Sequence, residues 1–458
     1  MKKKVLIILG VLVVLVLLVP VINLLVKPDN HDALARLRPD DRSFERVAGI
    51  LETKCAGCHM PEADLPFYAG LPVAEPLMEE DIDAGLRFLD LPARLADSDG
   101  PPPEVLLAKV EHVAANGAMP PLRYRALHWD AALDEDDQQV IKNWITEIRG
   151  NHYLTDGVAP EFVHSALQPL PAVDESNPAM VALGERLFHE PLLSGDGTIT
   201  CASCHGLDTG GTDRLQFSVG IGGQEGGINS PTVFNAGLHV RQFWDGRAAD
   251  LAEQAGGPVD NPIEMGADWQ KVVERLKNDR SYRLDFQKLF PDGVTRENTQ
   301  AAIAAFEETL VTSDSSFDEY LKGYPNALEK DQVAGYELFT EYGCATCHVG
   351  SALGGQSFET MGLRDDYFAG KKALTEADNG RMNFTGDPAD RFKFKVPSLR
   401  NIAVTWPYFH DGSTESLDEA VRIMAQVQSG VDLTDEETTK IVAFLDSLTG
   451  RYKGEVLQ

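Results

Sequence analysis

The sequence predicts a mainly α-helical protein, with three similar modules in tandem behind one apolar amino-terminal helix. Three observations predict it. A CxxCH string occurs three times, about 145 residues apart. Amphipathic helical patterns bracket these strings. An apolar run extends from Val5 to Val26 ahead of them all, with Pro20 and Asn23 toward its outer end.

The apolar run comes first. Lys2, Lys3 and Lys4 precede it. At 1.5 Å per residue it spans roughly 33 Å, enough for a bilayer core. It exceeds a signal-peptide core, and no small-x-small cleavage site follows. An uncleaved transmembrane anchor over residues 1–27 is therefore expected, with a cleaved signal as the alternative. The positive-inside rule keeps the lysines in the cytoplasm, which puts the anchor in the inner membrane and the remainder in the periplasm.

The cysteines are all paired in sequence: Cys55 and Cys58, Cys201 and Cys204, Cys344 and Cys347. His59, His205 and His348 follow them at once, giving CAGCH, CASCH and CATCH. CxxCH is the attachment motif of c-type haem. Two thiols add to the haem vinyl groups, and the adjacent imidazole takes one axial position on iron. Disulfides would not need a histidine after every pair. Zinc sites would use two pairs together and leave one over. Three covalent haem c groups are expected, and hence three cytochrome c-like haem domains. Such haems are attached outside the cytoplasm, in agreement with the anchor.

The helical patterns divide the chain. FERVAGILETK, with Phe44, Val47, Ile50 and Leu51 on one face, leads to the first motif. DEDDQQVIKNWITEIRG closes that module with Val140, Ile141, Trp144, Ile145 and Ile148 on one stripe. GERLF (184–188) and GYELF (335–339) look like a weak repeat before the second and third motifs. RENTQAAIAAFEETLVT and TDEETTKIVAFLDSLTG follow them. The expected organisation is an anchor (1–27), a monohaem domain (28–150), a proline-containing linker (151–177), a second haem domain (178–328) and a third (329–458). The glycine-rich stretch 210–227 is read as a loop, a usual place for function.

Function turns on the second axial ligand of each iron, because an open position permits chemistry and a filled one permits only electron transfer. In the first module Met119, in NGAMPP, is the expected ligand, with His112 as the alternative. In the third, Met424 sits in SLDEAVRIMAQVQSG, where a core methionine would look the same. The middle module offers only Met265 and His239, by elimination, so an open iron on His205 is expected.

Net charge is −30, with no basic face for nucleic acid. The acid excess is a solvated surface or a steering field for a basic partner.

From about Pro178 to Gly450 the chain resembles the bacterial dihaem cytochrome c peroxidase family. The strings that carry the resemblance are LGERLFHEPLLSGDGTITCASCH, SPTVFNAG, QFWDGRAADL, PIEM, LFTEYGCATCH, VPSLRNIAVTWPYFHDG and EAVRIM, in family order. The anchor and extra module look like the trihaem, quinol-peroxidase-type branch. The resemblance implies reduction of hydrogen peroxide to water. It implies His205 as proximal ligand of the peroxidatic haem, and His348 with Met424 on a high-potential haem. It implies Trp244 between those haems, and Gln254 and Glu264 as distal catalytic groups. Asn229 and the carbonyls of Thr405 and Pro407 would hold a calcium ion, and His410 would lie at the haem interface. Membrane quinol or a small periplasmic redox protein would supply electrons, and a homodimer is left open.

One departure stands out. Where the family usually carries a removable distal histidine, this chain has Ile221, which cannot bind iron. The expectation is a peroxidatic haem that needs no reductive activation. Competing readings are an electron-transfer cytochrome, a peroxide sensor with slow turnover, and a MauG-like oxidase of another substrate. The last branch carries tyrosine where Met424 stands.

Overall fold

Helix starts follow the cap-and-acid signals of the sequence. In the computed structural model, which describes residues 17–96, 100–173 and 177–458, helix α1 (Arg42–Lys54) is capped by Asp41. Helix α2 spans Glu104–Asn116, and α3 (Glu135–His152) opens on a capping box made by Asp134 and Asp137. The side chains of Phe44, Val47 and Leu51 on α1 meet Ile141, Trp144 and Ile145 on α3 in one buried core. Phe44 and Trp144 lie 5.4 Å apart between ring centroids.

The chain forms two compact units, 1–153 and 154–458. The first carries CAGCH. The second carries CASCH and CATCH, each accompanied by a pair of packed helices. Helix α4 (Pro178–Phe188) crosses α6 (Arg296–Glu307), and α7 (Lys330–Glu341) crosses α9 (Asp435–Asp446). Between the members of the first pair comes α5 (Leu251–Asp260), and ahead of α9 comes α8 (Leu417–Met424). The weak repeat has a packing cause. A Cβ on Gly184 would lie 1.9 Å from the Ala302 carbonyl oxygen, and one on Gly335 would lie 1.9 Å from that of Lys440. Only glycine lets the backbones approach so closely. Phe188 and Phe339 at the end of each repeat are buried.

Strands are few among the described residues. Phe358–Thr360 (β1) pairs antiparallel with Lys393–Lys395 (β2). Beyond β2 the chain runs into Arg400, which is fully buried and tied in four directions. It contacts Asp318 at 2.9 Å, the Gln168 carbonyl at 3.0 Å, the Ser351 carbonyl at 2.8 Å and Ser315 Oγ at 3.2 Å. The stretch 159–170 is laid against later parts of the chain: Leu167 bridges to Gly350, and the Leu170 amide donates to Asp318.

The transmembrane expectation requires correction. No helix among the described residues is long and apolar enough to cross a membrane. Residues 17–25 are helical, but nine residues rise only about 14 Å. Val19 packs with Tyr68, Ala69 and Met78, and buried Asn23 donates to the Leu127 carbonyl at 2.7 Å. This part of the run is engaged with the first unit. Residues 5–16 of the expected span lie outside the described residues. The inner-membrane placement rested on that helix and is not supported.

Candidate haem sites and active site

All six cysteines are free thiols, partly buried, with no disulfide among them. Burial pushes Cys55 and Cys344 up to about 12 and Cys58 up to about 11. They stay protonated, unlike the thiolates of a metal site.

The three histidines share one arrangement. His59 Nδ1 lies 2.8 Å from the Leu89 carbonyl, His348 Nδ1 lies 3.1 Å from that of Leu353, and His205 Nδ1 lies 3.4 Å from that of Gly211. A carbonyl only accepts, so Nδ1 carries the proton and Nε2 keeps the lone pair. This is how an iron-binding imidazole is oriented. Burial holds all three below the usual histidine range, His348 at about 4, so each is neutral and able to ligate. The residues present fit haem c at three places.

The other ligand candidates differ in setting. Met119 is half-buried, three residues beyond the end of α2. Its alternative, His112, is half-buried on α2 itself. Met424 is half-buried at the last position of α8, where the helix widens into a π turn over Ala425–Ser429. Met265 packs in the apolar core with Val259 and Trp269. His239 Nδ1 accepts from the buried Lys395 ammonium at 3.0 Å.

Trp244 joins the segment that follows CASCH to the segment that follows CATCH. Its indole Nε1 donates to the Asn229 carbonyl at 2.9 Å, and its own carbonyl accepts from the Lys395 amide at 2.8 Å. Its ring stands edge-on to Phe394 and His410. His410 stacks on Phe394 at 4.3 Å and meets Asp378 at 2.8 Å. Burial opposes the Asp378 charge, but hydrogen bonds from Lys371, Thr375 and His410 outweigh it and hold this carboxyl well below its usual range.

The Asn229 amide donates to the Leu215 and Gln216 carbonyls, and its main-chain N–H to that of His410. Its Oδ1 and the carbonyls of Thr405 and Pro407 accept no hydrogen bond among the described residues. Oxygen donors of this kind suit calcium.

Gln254 is half-buried on α5. Glu264 follows in the turn after that helix, also half-buried. Asn261 Nδ2 donates to Glu264 Oε1 at 2.7 Å. Burial pushes the Glu264 carboxyl up, while the Arg247 charge and the Asn261 amide pull it partly back. A carboxyl with one oxygen held by an amide and the other free can take up and deliver a proton at a group within hydrogen-bond reach.

Sequence reasoning missed Asn261, whose only signal is the Asn-Pro pair that starts the turn. It also missed Asp378 behind His410, for which no local pattern exists. In the first unit it missed the cluster of Tyr68, Tyr124 and His128. There His128 stacks on Tyr124 at 3.8 Å and bonds Tyr68 Oη at 3.3 Å.

Comparison with known proteins decides the family. A model described as di-haem cytochrome c peroxidase matches residues 178–326. Models described as haem-binding domain and cytochrome c match 13–147 and 332–449. Cytochrome c peroxidase Ccp of Escherichia coli (strain K12) is 45% identical over 411 residues, 89% of this chain and 88% of that one. The chain belongs to the di-haem cytochrome c peroxidase family. Another relative is the cytochrome c551 peroxidase of Nitrosomonas europaea, 47% identical over 62% of this chain and 84% of its own. The solved structure of a MauG-like protein associated with microbial copper homeostasis is 31% identical, with a TM-score of 0.54, over 61% of this chain and 92% of that one. These two matches leave more than a third of this chain uncovered, whereas the Escherichia coli relative covers 89% of it.

Proposed function

We propose that this protein is a three-haem peroxidase that reduces hydrogen peroxide to water with electrons from a small redox protein. Its relatives named as cytochrome c peroxidases support the peroxidase reading. The observation that carries the chemistry is the half-buried Glu264 carboxyl, with Oε1 held by Asn261.

His59 with Met119, His205 alone, and His348 with Met424 would hold the irons, and the three cysteine pairs would hold the porphyrins. When bound, the haems supply the iron that meets peroxide and the two electrons its reduction consumes. The net change is H2O2 + 2H+ + 2e− → 2H2O. Glu264 Oε2 takes the proton from one peroxide oxygen and delivers it to the other, which leaves as water. The Gln254 side-chain amide orients the peroxide and donates to the oxygen on which charge develops. Trp244 gives the seam between the two haem regions a conjugated ring. Asn229, Thr405 and Pro407 would hold calcium at that same seam. The net charge of −30 suits a basic donor protein. Quinol, expected from the anchor, loses that support.

The test is to reduce the protein fully without oxygen, add peroxide below stoichiometry and follow the haem bands by stopped flow. Rapid oxidation of two haem equivalents per peroxide is expected, in a protein carrying three haem c per chain. Slow or partial oxidation would overturn the reading in favour of an electron carrier or sensor.

A further inference from the structure

The turn that carries Glu264 is gripped from three sides. At the end of α5, the Gly266 amide donates to the carbonyl of the capping Asn261 and that of Met265 to the Pro258 carbonyl, at 2.8 and 3.1 Å. From the segment before CASCH, the Gly195 amide donates to the Met265 carbonyl at 2.7 Å. The third grip is the glycine-rich loop. The Ile221 amide donates to the Glu264 carbonyl at 2.8 Å. Gln224 Nε2 donates to the Pro262 carbonyl at 2.9 Å and to that of Ile221 at 3.2 Å.

The packing is as specific as the hydrogen bonds. A Cβ on Gly220 would lie 2.0 Å from the Ile263 oxygen and 2.7 Å from that of Glu264, so the loop backbone lies directly on the turn. The Ile221 side chain covers two further glycines. A methyl on Gly195 would lie 3.0 Å from Ile221 Cδ1, and one on Gly266 would lie 3.1 Å from Cγ2. The branched side chain fills the space that those two residues leave by lacking one.

A long glycine-rich loop has no reason of its own to hold one conformation. Here Ile221 and Gln224 fasten it to the one turn whose side chain must meet substrate within hydrogen-bond reach. We propose that loop 220–224 is a lock that positions Glu264, with Ile221 and Gln224 as its positioning residues. Both act on Glu264 through the backbone of the turn. This rests on the reading of Glu264 as the proton-transferring group. A displacement near 1 Å at such a group costs about 100-fold in rate.

The experiment compares the holoprotein with Ile221→Ala, Ile221→Val and Gln224→Ala. Hydrogen exchange is measured over peptides covering 219–227 and 261–267, and the reaction of the fully reduced protein with peroxide by stopped flow. Gln224 is solvent-exposed, so its variant folds even if Ile221→Ala does not. For Ile221→Ala, exchange at both peptides is expected to quicken by about tenfold or more. The peroxide reaction should slow about 10- to 100-fold, with haem content and reduced spectrum unchanged. Gln224→Ala should move both readouts in the same direction, and Ile221→Val should restore most of each. Unchanged exchange in the alanine variants would overturn the lock. Quickened exchange with an unchanged peroxide rate would overturn its positioning role. A parent protein inert to peroxide would overturn the peroxidase reading, while the exchange result still decides whether the loop is fastened.

Discussion

The indole N–H of Trp244 donates to the main-chain oxygen of Asn229 at 2.9 Å. The proposed electron path and the proposed calcium site are thus coupled through one hydrogen bond. Trp244→Phe keeps an aromatic ring in place and removes the donor. It is expected to slow oxidation of the second haem equivalent by about tenfold and to weaken calcium retention. Stopped flow after calcium chelation, with and without the substitution, checks this. Equal calcium dependence in both proteins would show that the two sites are independent.

Glu264→Gln preserves shape and removes the proton acceptor. The peroxide rate constant is expected to fall about 10²- to 10⁴-fold, with haem spectra retained. In the parent, the acid limb of the pH–rate profile should lie above the usual carboxylate range, because burial raises this group. The Asn261 amide favours the ionised form, so Asn261→Ala should move that limb to higher pH. A limb that stays in place would mean another group controls it.

Glu307 is almost fully buried, its Oε2 has no hydrogen-bond partner, and burial pushes its carboxyl up to about 8. The folded state therefore binds this proton more tightly than the unfolded chain. Stability is complete below the unfolded value near 4.3 and is lost as pH rises through about 8. Glu307→Gln should raise the thermal midpoint by several degrees at pH 8 and change it little at pH 4. Calorimetry of the holoprotein at both pH values tests this, and an equal shift at both would refute the linkage.

Arg400 and Asp318 are both at most 1% exposed in their side chains. Removing one partner leaves a buried charge, so Arg400→Met should cost about 3–5 kcal/mol. Adding Asp318→Leu should recover part of that cost rather than add to it. Denaturant titrations of both singles and the double decide, and strictly additive costs would mean that the pair is not coupled.

The sequence made the haem-binding strings, the helix starts and the paired helices legible, because each depends on residues close together in the chain. Thr434 and Glu437 cap α9 within four residues. Glycine at 184 and 335 marks each crossing from one position. His410 and Asp378 pair across 32 positions of chain, and no periodicity encodes it. The same holds for His239 with Lys395, 156 residues apart. The apolar amino-terminal run was misread for a different reason. Hydropathy measures what a segment could enter, and Val19 and Asn23 show that part of this one packs against protein.

The knot at Arg400 joins Gln168 to a residue 232 positions later. The CATCH region therefore takes a strap from before the CASCH region, which lies between the two in sequence. A fragment starting at residue 178 would lack a piece of the region in which it ends. During synthesis the Gln168 carbonyl waits for Arg400 until most of the chain has emerged. Closing that knot is a late, long-range event, and it completes the CATCH region only after the CASCH region has been made.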